Sequence, residues 1–438
     1  MTPFIAQIGA ERLDWFGFGI GSANRTAAFI ACAIVASWIF AAILKKTGFW
    51  ISIILSLVLF YFLTQTQSRG AFVALIVSMA IFFVFAKIGY NRHRVFALIA
   101  AVGVAGFIYF NSLLATRMEN MATLQSSSAN CRVDIYLSGI KMLTDAPNGV
   151  IIEKSPAEIY MRWYQNPDDG ESYISMINSH LEFMCVHGFL LRFAYIAFWA
   201  FALAVAFPLT RNALNAAIFA TWVCFGLCAT FSNVMNYWVL WIVPTTTLAL
   251  AIVCNRRRIL SYKFYSAVLL MSVIAIAFIY TVSYLLPRDC KLQFKPNGDV
   301  LCGNFGEPKY LLFSPVEKTV GTRFGGELVA FCKENNVCVM VSNNVPPNEF
   351  DCAIICNIEN ASELSAIKSK NKILLNPKFN EDFEKSGPEE TTVYIGNFAD
   401  WRNRKKWTDS AKDSGKIEVR ILEGVADYIP NWINLFLY

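Results

Sequence analysis

Thr64-Gln65-Thr66-Gln67-Ser68-Arg69-Gly70 is a polar break between two apolar runs, residues 50–63 and 71–86. Without it the runs would merge into one helix too long for the roughly 30 Å of bilayer hydrocarbon. With it they read as two crossings joined by a tight re-entry, in which Gly70 is the turn former. Working outward, further apolar stretches occupy residues 26–44 and 95–114, then 186–209, 213–231, 237–254 and 265–286. The expected fold class is therefore mainly α: a polytopic transmembrane helical bundle of about eight spans, with a C-terminal soluble α/β domain. The expected boundaries are 1–286 for the membrane part, including a long polar loop at 115–185, and 287–438 for the soluble part.

Composition agrees. The 438 residues are 55% hydrophobic with mean hydropathy +0.43, too apolar for an ordinary soluble chain. Charged residues are 16% of the total and fall almost wholly outside the apolar runs, as the cost of ionised groups in hydrocarbon requires. The net charge of +6 thus speaks to topology and not to nucleic acid, which is not expected as a partner. Lys45-Lys46, then Lys87 with Arg92 and Arg94, then Arg211, then Arg256-Arg257-Arg258 with Lys263 fall on one side of an eight-span chain. The positive-inside rule makes that side cytoplasmic and places the N-terminus, Arg69, the long loop and the C-terminal domain outside. No cleavable signal peptide reads at Met1, where Glu11, Arg12 and Asp14 interrupt the opening residues.

The outer-face polar residues then form a set: Asn24-Arg25, Ser68-Arg69-Gly70, Arg132, and Asn178-Ser179-His180. An arginine at the lipid boundary either anchors the helix by snorkelling or meets an anion. Arg69 favours the anion, since it stands in a tight turn on the side where basic residues are disfavoured. His180 is either a base or a polar cap for the following helix.

These motifs resemble, in order, those of the O-antigen ligase and O-antigen polymerase superfamily of bacterial membrane glycosyltransferases. Gly19 through Arg25 is similar to the family's Asn-Arg element opening a helix, and Thr66-Gln67-Ser68-Arg69-Gly70-Ala71 to its Ser-Arg-Gly-Ala element. Arg132-Val133-Asp134-Ile135-Tyr136 through Pro147-Asn148-Gly149 resembles its arginine-led amphipathic helix with a Pro-x-Gly turn. Asn178-Ser179-His180-Leu181-Glu182 through Gly188 resembles the close of its external loop. Two departures stand out. Aligning Leu181 and Gly188 puts Ile177 where the family has its histidine, so His180 is the substitute base and His187 a second choice. Family members also carry several spans before the Asn-Arg element, which implies an N-terminally shortened version here.

The resemblance implies transfer of a glycan from a polyprenyl-diphosphate-linked donor to an acceptor hydroxyl of a glycan or glycolipid, without cofactor or metal, at the outer face of a bacterial inner membrane, where membrane lipid is a further partner. Arg69 and Arg132 would clamp the diphosphate, with Arg25 and Asn178 in the binding site, because the planar guanidinium suits phosphate oxygens. Tyr160 and Trp163 with Arg162 either stack on sugar rings or form the packed face of a loop helix. Asp168, Asp169 and Glu171, beside Asn166-Pro167 and Gly170, read as a solvated turn in preference to a metal site. Alternatives in other classes are a transporter or exporter component and an inactive relative that presents the C-terminal domain. Ligase and polymerase share these motifs.

After the last apolar run, short apolar segments alternate with amphipathic ones. A hairpin is expected around Lys295-Pro296-Asn297-Gly298, with strands at 310–313, 337–341, 353–358, 372–375, 392–395 and 417–422, helices at 326–334 and 361–368, and a doubly wound, mostly parallel sheet. Gly321 through Gly326 lacks the P-loop lysine and reads as a plain helix entry. Six cysteines (Cys290, Cys302, Cys332, Cys338, Cys352, Cys356) form disulfides if this part faces an oxidising space, and otherwise are buried thiols.

Overall fold

The computed structural model describes residues 22–86, 92–122, 127–150, 155–165, 173, 175–209, 212–288, 291–295, 297, 299–303, 308–313, 328–329, 332–333, 336–342, 344–356, 366–375, 391–395 and 417–421. The chain divides into two compact units, one of residues 1–137 and 175–282, the other of residues 138–174 and 283–438. Residues 138–174 thus group with the C-terminal part, an association absent from the sequence reading.

In the first unit each expected apolar segment is a helix: α1 (Ala23–Ile43), α2 (Lys45–Thr66), α3 (Arg69–Phe85), α4 (Arg92–Phe110), α9 (Phe189–Ala206), α10 (Ala213–Phe231), α11 (Trp238–Cys254) and α13 (Tyr262–Leu285). Backbone groups in hydrocarbon find partners only within the segment itself, which is why apolar runs of this length become helices. Five of them, α1, α2, α9, α10 and α13, are long and apolar enough to cross a membrane. The apolar parts of α3, α4 and α11 do not exceed 17 residues. Polar intervals hold α5 (Leu113–Ala122), α6 (Ser127–Asp145), α7 (Pro156–Trp163), α8 (Ser179–Val186) and α12 (Arg256–Ile259). The arginine-led helix is therefore present as α6, and Gly149 at φ 86 makes the turn after Pro147.

Small residues decide which helices sit at the centre. Ala27, Ala28 and Ala31 of α1, Ala71 and Ala74 of α3, and Ala216, Ala217 and Ala220 of α10 lie in one buried cluster, where the absence of bulk lets backbones approach. More than half of α1 and α10 is buried, against about a fifth of α9 and α13. The outward faces stay apolar, with Phe96, Phe107 and Phe110 of α4 all more than 70% exposed. Such surface marks contact with lipid or with another protein.

The break that opened the sequence reading turns differently from expectation. Gln67, at φ 54, is the left-handed residue that ends α2, and Gly70 lies in the first turn of α3. Its missing side chain serves packing: a Cβ there would stand 2.5 Å from the Phe231 Cβ. Gly70→Ala is expected to destabilise by about 1–3 kcal/mol as an overpacking change, read as a lower thermal midpoint in detergent. No change in the midpoint would contradict the contact.

The described helix ends that flank the four basic connections collect at one end of this unit. Lys46 and His93 line the same groove. Phe85 packs edge-on against Phe207 at 5.6 Å, and Arg258 Nη1 donates to the Phe207 carbonyl at 2.9 Å. The other end holds the starts of α1, α3 and α8 and the end of α10.

In the second unit eight strands form one sheet in the order β1-β2-β4-β3-β5-β6-β7-β8. They are β1 (Leu292–Phe294), β2 (Val300–Gly303), β3 (Tyr310–Phe313), β4 (Cys338–Ser342), β5 (Glu349–Cys356), β6 (Lys368–Leu375), β7 (Thr391–Ile395) and β8 (Ile417–Ile421). β1 and β2 are the expected hairpin, paired Leu292↔Cys302 and Phe294↔Val300, and β2 joins β4 antiparallel. From β4 through β3, β5, β6 and β7 to β8 every pairing is parallel. The uninterrupted apolar run of β5 fits a strand covered on both faces, and Cys352, Ala353, Ile354 and Ile355 are all buried. Cys302, Cys332, Cys338 and Cys352 are buried thiols. The expected helix at 361–368 gives way at its end, since Lys368 begins β6. Gly321–Gly326, the acidic group at 168–171, and Cys290 lie outside the described residues.

Also in this unit, Asp145 is buried with Tyr164 and Arg288. The Tyr164 hydroxyl donates to Asp145 Oδ2 at 2.7 Å. Arg288 Nε lies 3.2 Å from Oδ1, as an ion pair whose N–H points too far off line for a hydrogen bond. Burial pushes the Asp145 carboxyl up to about 6, against the opposing pull of Tyr164 and Arg288. The folded state therefore binds this proton more tightly than the unfolded chain. Its stabilising contribution is complete below about pH 4 and is lost as pH rises through about 6. Denaturation at a series of pH values should show this slope in the wild type and lose it in Asp145→Asn; equal slopes would contradict the burial.

Candidate functional site

The site is built on a segment the sequence reading passed over, residues 232–237 between α10 and α11. Ser179, the first residue of α8, is latched to it. The Ser179 Oγ accepts from the backbone N–H of Val234 at 2.8 Å and of Met235 at 3.2 Å, and donates to the Ser232 carbonyl at 2.9 Å. Asn178 precedes it as the N-cap of α8, its side-chain oxygen accepting from the N–H of His180 at 3.0 Å and of Leu181 at 3.1 Å. That cap satisfies two of the N–H groups a helix start leaves open. Asn178 is 5% exposed, so its oxygen is committed to the helix and not to a ligand.

Arg25 reaches the same segment from α1. Its Nε donates to the Asn233 carbonyl at 3.3 Å, and its guanidinium carbon lies 3.6 Å above the centre of the Tyr237 ring. A cation on an aromatic face at this distance is stabilised by the ring quadrupole. The Tyr136 hydroxyl of α6 donates to the Thr230 carbonyl at 2.7 Å, which fixes the turn of α6 bearing Arg132 against the end of α10. The Arg132 Nε is buried and has no hydrogen-bond partner among the described residues. Phe231 packs on Gly70, next to Arg69. Arg69 itself is half-buried at the start of α3. Buried Thr66 supports that turn, donating to the Leu63 carbonyl at 2.6 Å and accepting from the Ser68 N–H at 3.3 Å.

Glu182 closes the arrangement. Its Oε2 accepts from the Met176 N–H at 3.2 Å and from Asn233 Nδ2 at 3.1 Å. Burial raises its carboxyl above the ordinary range, opposed by these two hydrogen bonds. A buried carboxylate raised above its ordinary range, and bonded to the same Asn233 that Arg25 reaches, is a candidate base. In the sequence Glu182 is marked only as part of the motif Asn178-Ser179-His180-Leu181-Glu182.

His180 is placed otherwise than expected. Its Nε2 donates to the Gly226 carbonyl at 3.0 Å and its Nδ1 meets the Tyr195 hydroxyl at 2.7 Å. Burial holds the imidazole below its usual range, opposed by the Gly226 bond, so the ring is neutral at pH 7 and Nδ1 accepts from Tyr195. With both nitrogens committed and the ring packed on Trp199 at 5.1 Å, His180 ties α8 to α9 and α10 and has no lone pair left for an incoming hydroxyl. His187 caps the end of α8 with its ring 4.2 Å from Phe183. Ile177, at the place aligned with the family histidine, has φ 53, a left-handed conformation costing a β-branched residue about 1–2 kcal/mol. The Asn178 cap and the Ser179 latch hold it there.

Tyr160, Arg162 and Trp163 belong to the other unit. Tyr160 is 1% exposed and Trp163 4%. Their rings meet Tyr173 at 5.8 Å and Phe294 at 6.2 Å. They form the packed face of a loop helix and are not available to stack on sugars. Arg162, in the last turn of α7, is half-buried. Among the described residues no group of three His, Cys, Asp or Glu side chains is arranged to hold a metal ion.

No family model, curated protein or solved structure matches this chain.

Proposed function

We propose that this protein transfers a glycan from a polyprenyl diphosphate carrier to an acceptor hydroxyl at the outer face of a bacterial inner membrane, with all eight apolar helices crossing and the basic end cytoplasmic. The observation that carries the reading is the convergence of sequence-remote elements on residues 230–237, the end of α10 and the segment after it: Arg25, the Gly70 turn with Arg69, the Tyr136 turn with Arg132, and the start of α8. They stand at the bundle end opposite the basic connections. A lipid-linked diphosphate presents its charge at that depth, and guanidinium groups there offset both the charge and its desolvation.

The acceptor oxygen attacks the anomeric carbon of the donor sugar, a new C–O bond forms, and the bond to the diphosphate oxygen breaks. The departing diphosphate takes the electron pair and is stabilised by Arg69 and Arg132, whose buried Nε–H is a ready donor. The acceptor proton passes to Glu182. Arg25 contributes positive potential from its fixed place on Tyr237. His180 is a positioning residue that holds α8.

The test is glycan attachment in cells lacking their own ligase, comparing wild type with Arg69→Ala and Arg132→Ala at equal membrane levels. Each variant is expected to lose about 10²- to 10³-fold in transfer, the scale of one removed oxyanion donor. Undiminished transfer in both would overturn the clamp.

A further inference from the structure

α2 and α4 both start at the basic end and run side by side, leaving between them a groove with a cavity volume of about 850 Å³. Lys46 and His93 stand at its mouth, Trp50 and Phe96 follow, and Leu57 and Val104 lie at the far end. From mouth to end each helix advances eleven residues (46 to 57, 93 to 104), which at 1.5 Å per residue is about 17 Å. That is close to half the roughly 30 Å of hydrocarbon, the depth of one leaflet. The polar groups are confined to one end. Beyond them the lining is apolar and much of it is exposed, Phe96 at 71%, Trp50 at 44% and Val104 at 46%. The complementary molecule carries an anionic head and a chain one leaflet deep.

We propose that this groove binds an anionic glycerophospholipid, its phosphate against Lys46 and His93 and one acyl chain along Trp50 and Phe96 to Leu57 and Val104. The charge pattern selects the head: the lysine ammonium supplies positive charge and the imidazole an N–H donor in either protonation state. Lys45, Arg92 and Arg94 adjoin these positions in sequence. The site lies at the opposite end of the bundle from the proposed transfer site and does not depend on it.

The full chain, reconstituted in nanodiscs of equal phosphatidylglycerol and phosphatidylcholine, is examined by native mass spectrometry for retained lipid. The wild type is expected to keep phosphatidylglycerol over phosphatidylcholine by about fivefold or more, the effect of one surface cation. Lys46→Gln with His93→Gln should bring the ratio near one, Lys46→Arg should preserve it, and Ala100→Phe, which fills the groove, should reduce retention of both lipids. Lys263→Gln, basic but outside the groove, should leave the ratio unchanged, and millimolar inorganic phosphate should not displace the lipid. Equal retention of the two lipids by the wild type, an unchanged ratio in the double variant, or displacement by phosphate alone would each overturn the proposal.

Discussion

Glu182→Gln is expected to slow glycan transfer by about 10²- to 10⁴-fold, the range for loss of a general base, while leaving the protein folded. Glutamine keeps a carbonyl oxygen that accepts from Met176 N–H and Asn233 Nδ2 as Oε2 does now, so the change removes charge and basicity without removing the geometry. The pH dependence separates this from a general weakening. Burial raises the Glu182 carboxyl above the ordinary range, and a base acts only when ionised. The wild-type rate should therefore fall, on acidification, at a pH above that of an exposed glutamate, and the glutamine variant should lose this limb. Stability runs the other way: with the folded-state value raised, the contribution of Glu182 is complete below the unfolded value and is lost as pH rises through the folded one. Acid should thus favour the fold of the wild type while silencing its transfer. A variant retaining more than a tenth of wild-type transfer, with an unchanged pH profile, would remove Glu182 from the reaction.

Ser179→Ala is expected to cost about 1–3 kcal/mol. One hydroxyl serves the N–H groups of Val234 and Met235 and the carbonyl of Ser232, where Ser179 is 3% exposed and Val234 fully buried. Alanine takes its acceptor from the Met235 N–H, while the Val234 N–H and the Ser232 carbonyl keep only their mutual bond at 3.1 Å, and an orphaned buried group costs about 1–3 kcal/mol. Hydrogen exchange should show Val234 and Met235 losing protection ahead of the α10 interior, together with a lower thermal midpoint and loss of transfer. Ser179→Thr, which keeps the hydroxyl, should recover most of the protection. Unchanged exchange at both amides in the alanine variant would show that the latch does not hold the segment.

These two residues show where sequence reasoning reached and where it stopped. The polar marks at Arg25, Arg69, Arg132 and Asn178 stood out because charge and amide groups beside apolar runs are costly. The meaning of Glu182 did not, because it depends on burial and on Asn233, 51 positions away. His180 stood out as a base for its residue type and its place two residues after Asn178. Its partners, Tyr195 and Gly226, come from two other helices and leave both nitrogens occupied. Tyr160 and Trp163 advertised aromatic surface that packing against Tyr173 and Phe294 then consumed.

The seven residues from Thr64 to Gly70 mark the division well. From sequence alone their polarity separated two helices, and the same logic located eight apolar helices, the arginine-led α6, the hairpin at 292–303 and the parallel strands after it. Hydrophobic run length and alternation act locally, through the requirement that each backbone group be paired within its own segment or ladder. Only the tertiary structure decided that Gln67 makes the turn while Gly70 admits Phe231, and that residues 232–237 are the meeting point of the site. That segment works through its backbone groups together with the Asn233 amide and the Tyr237 ring, and these take on their roles only once the helices that use them are packed around them.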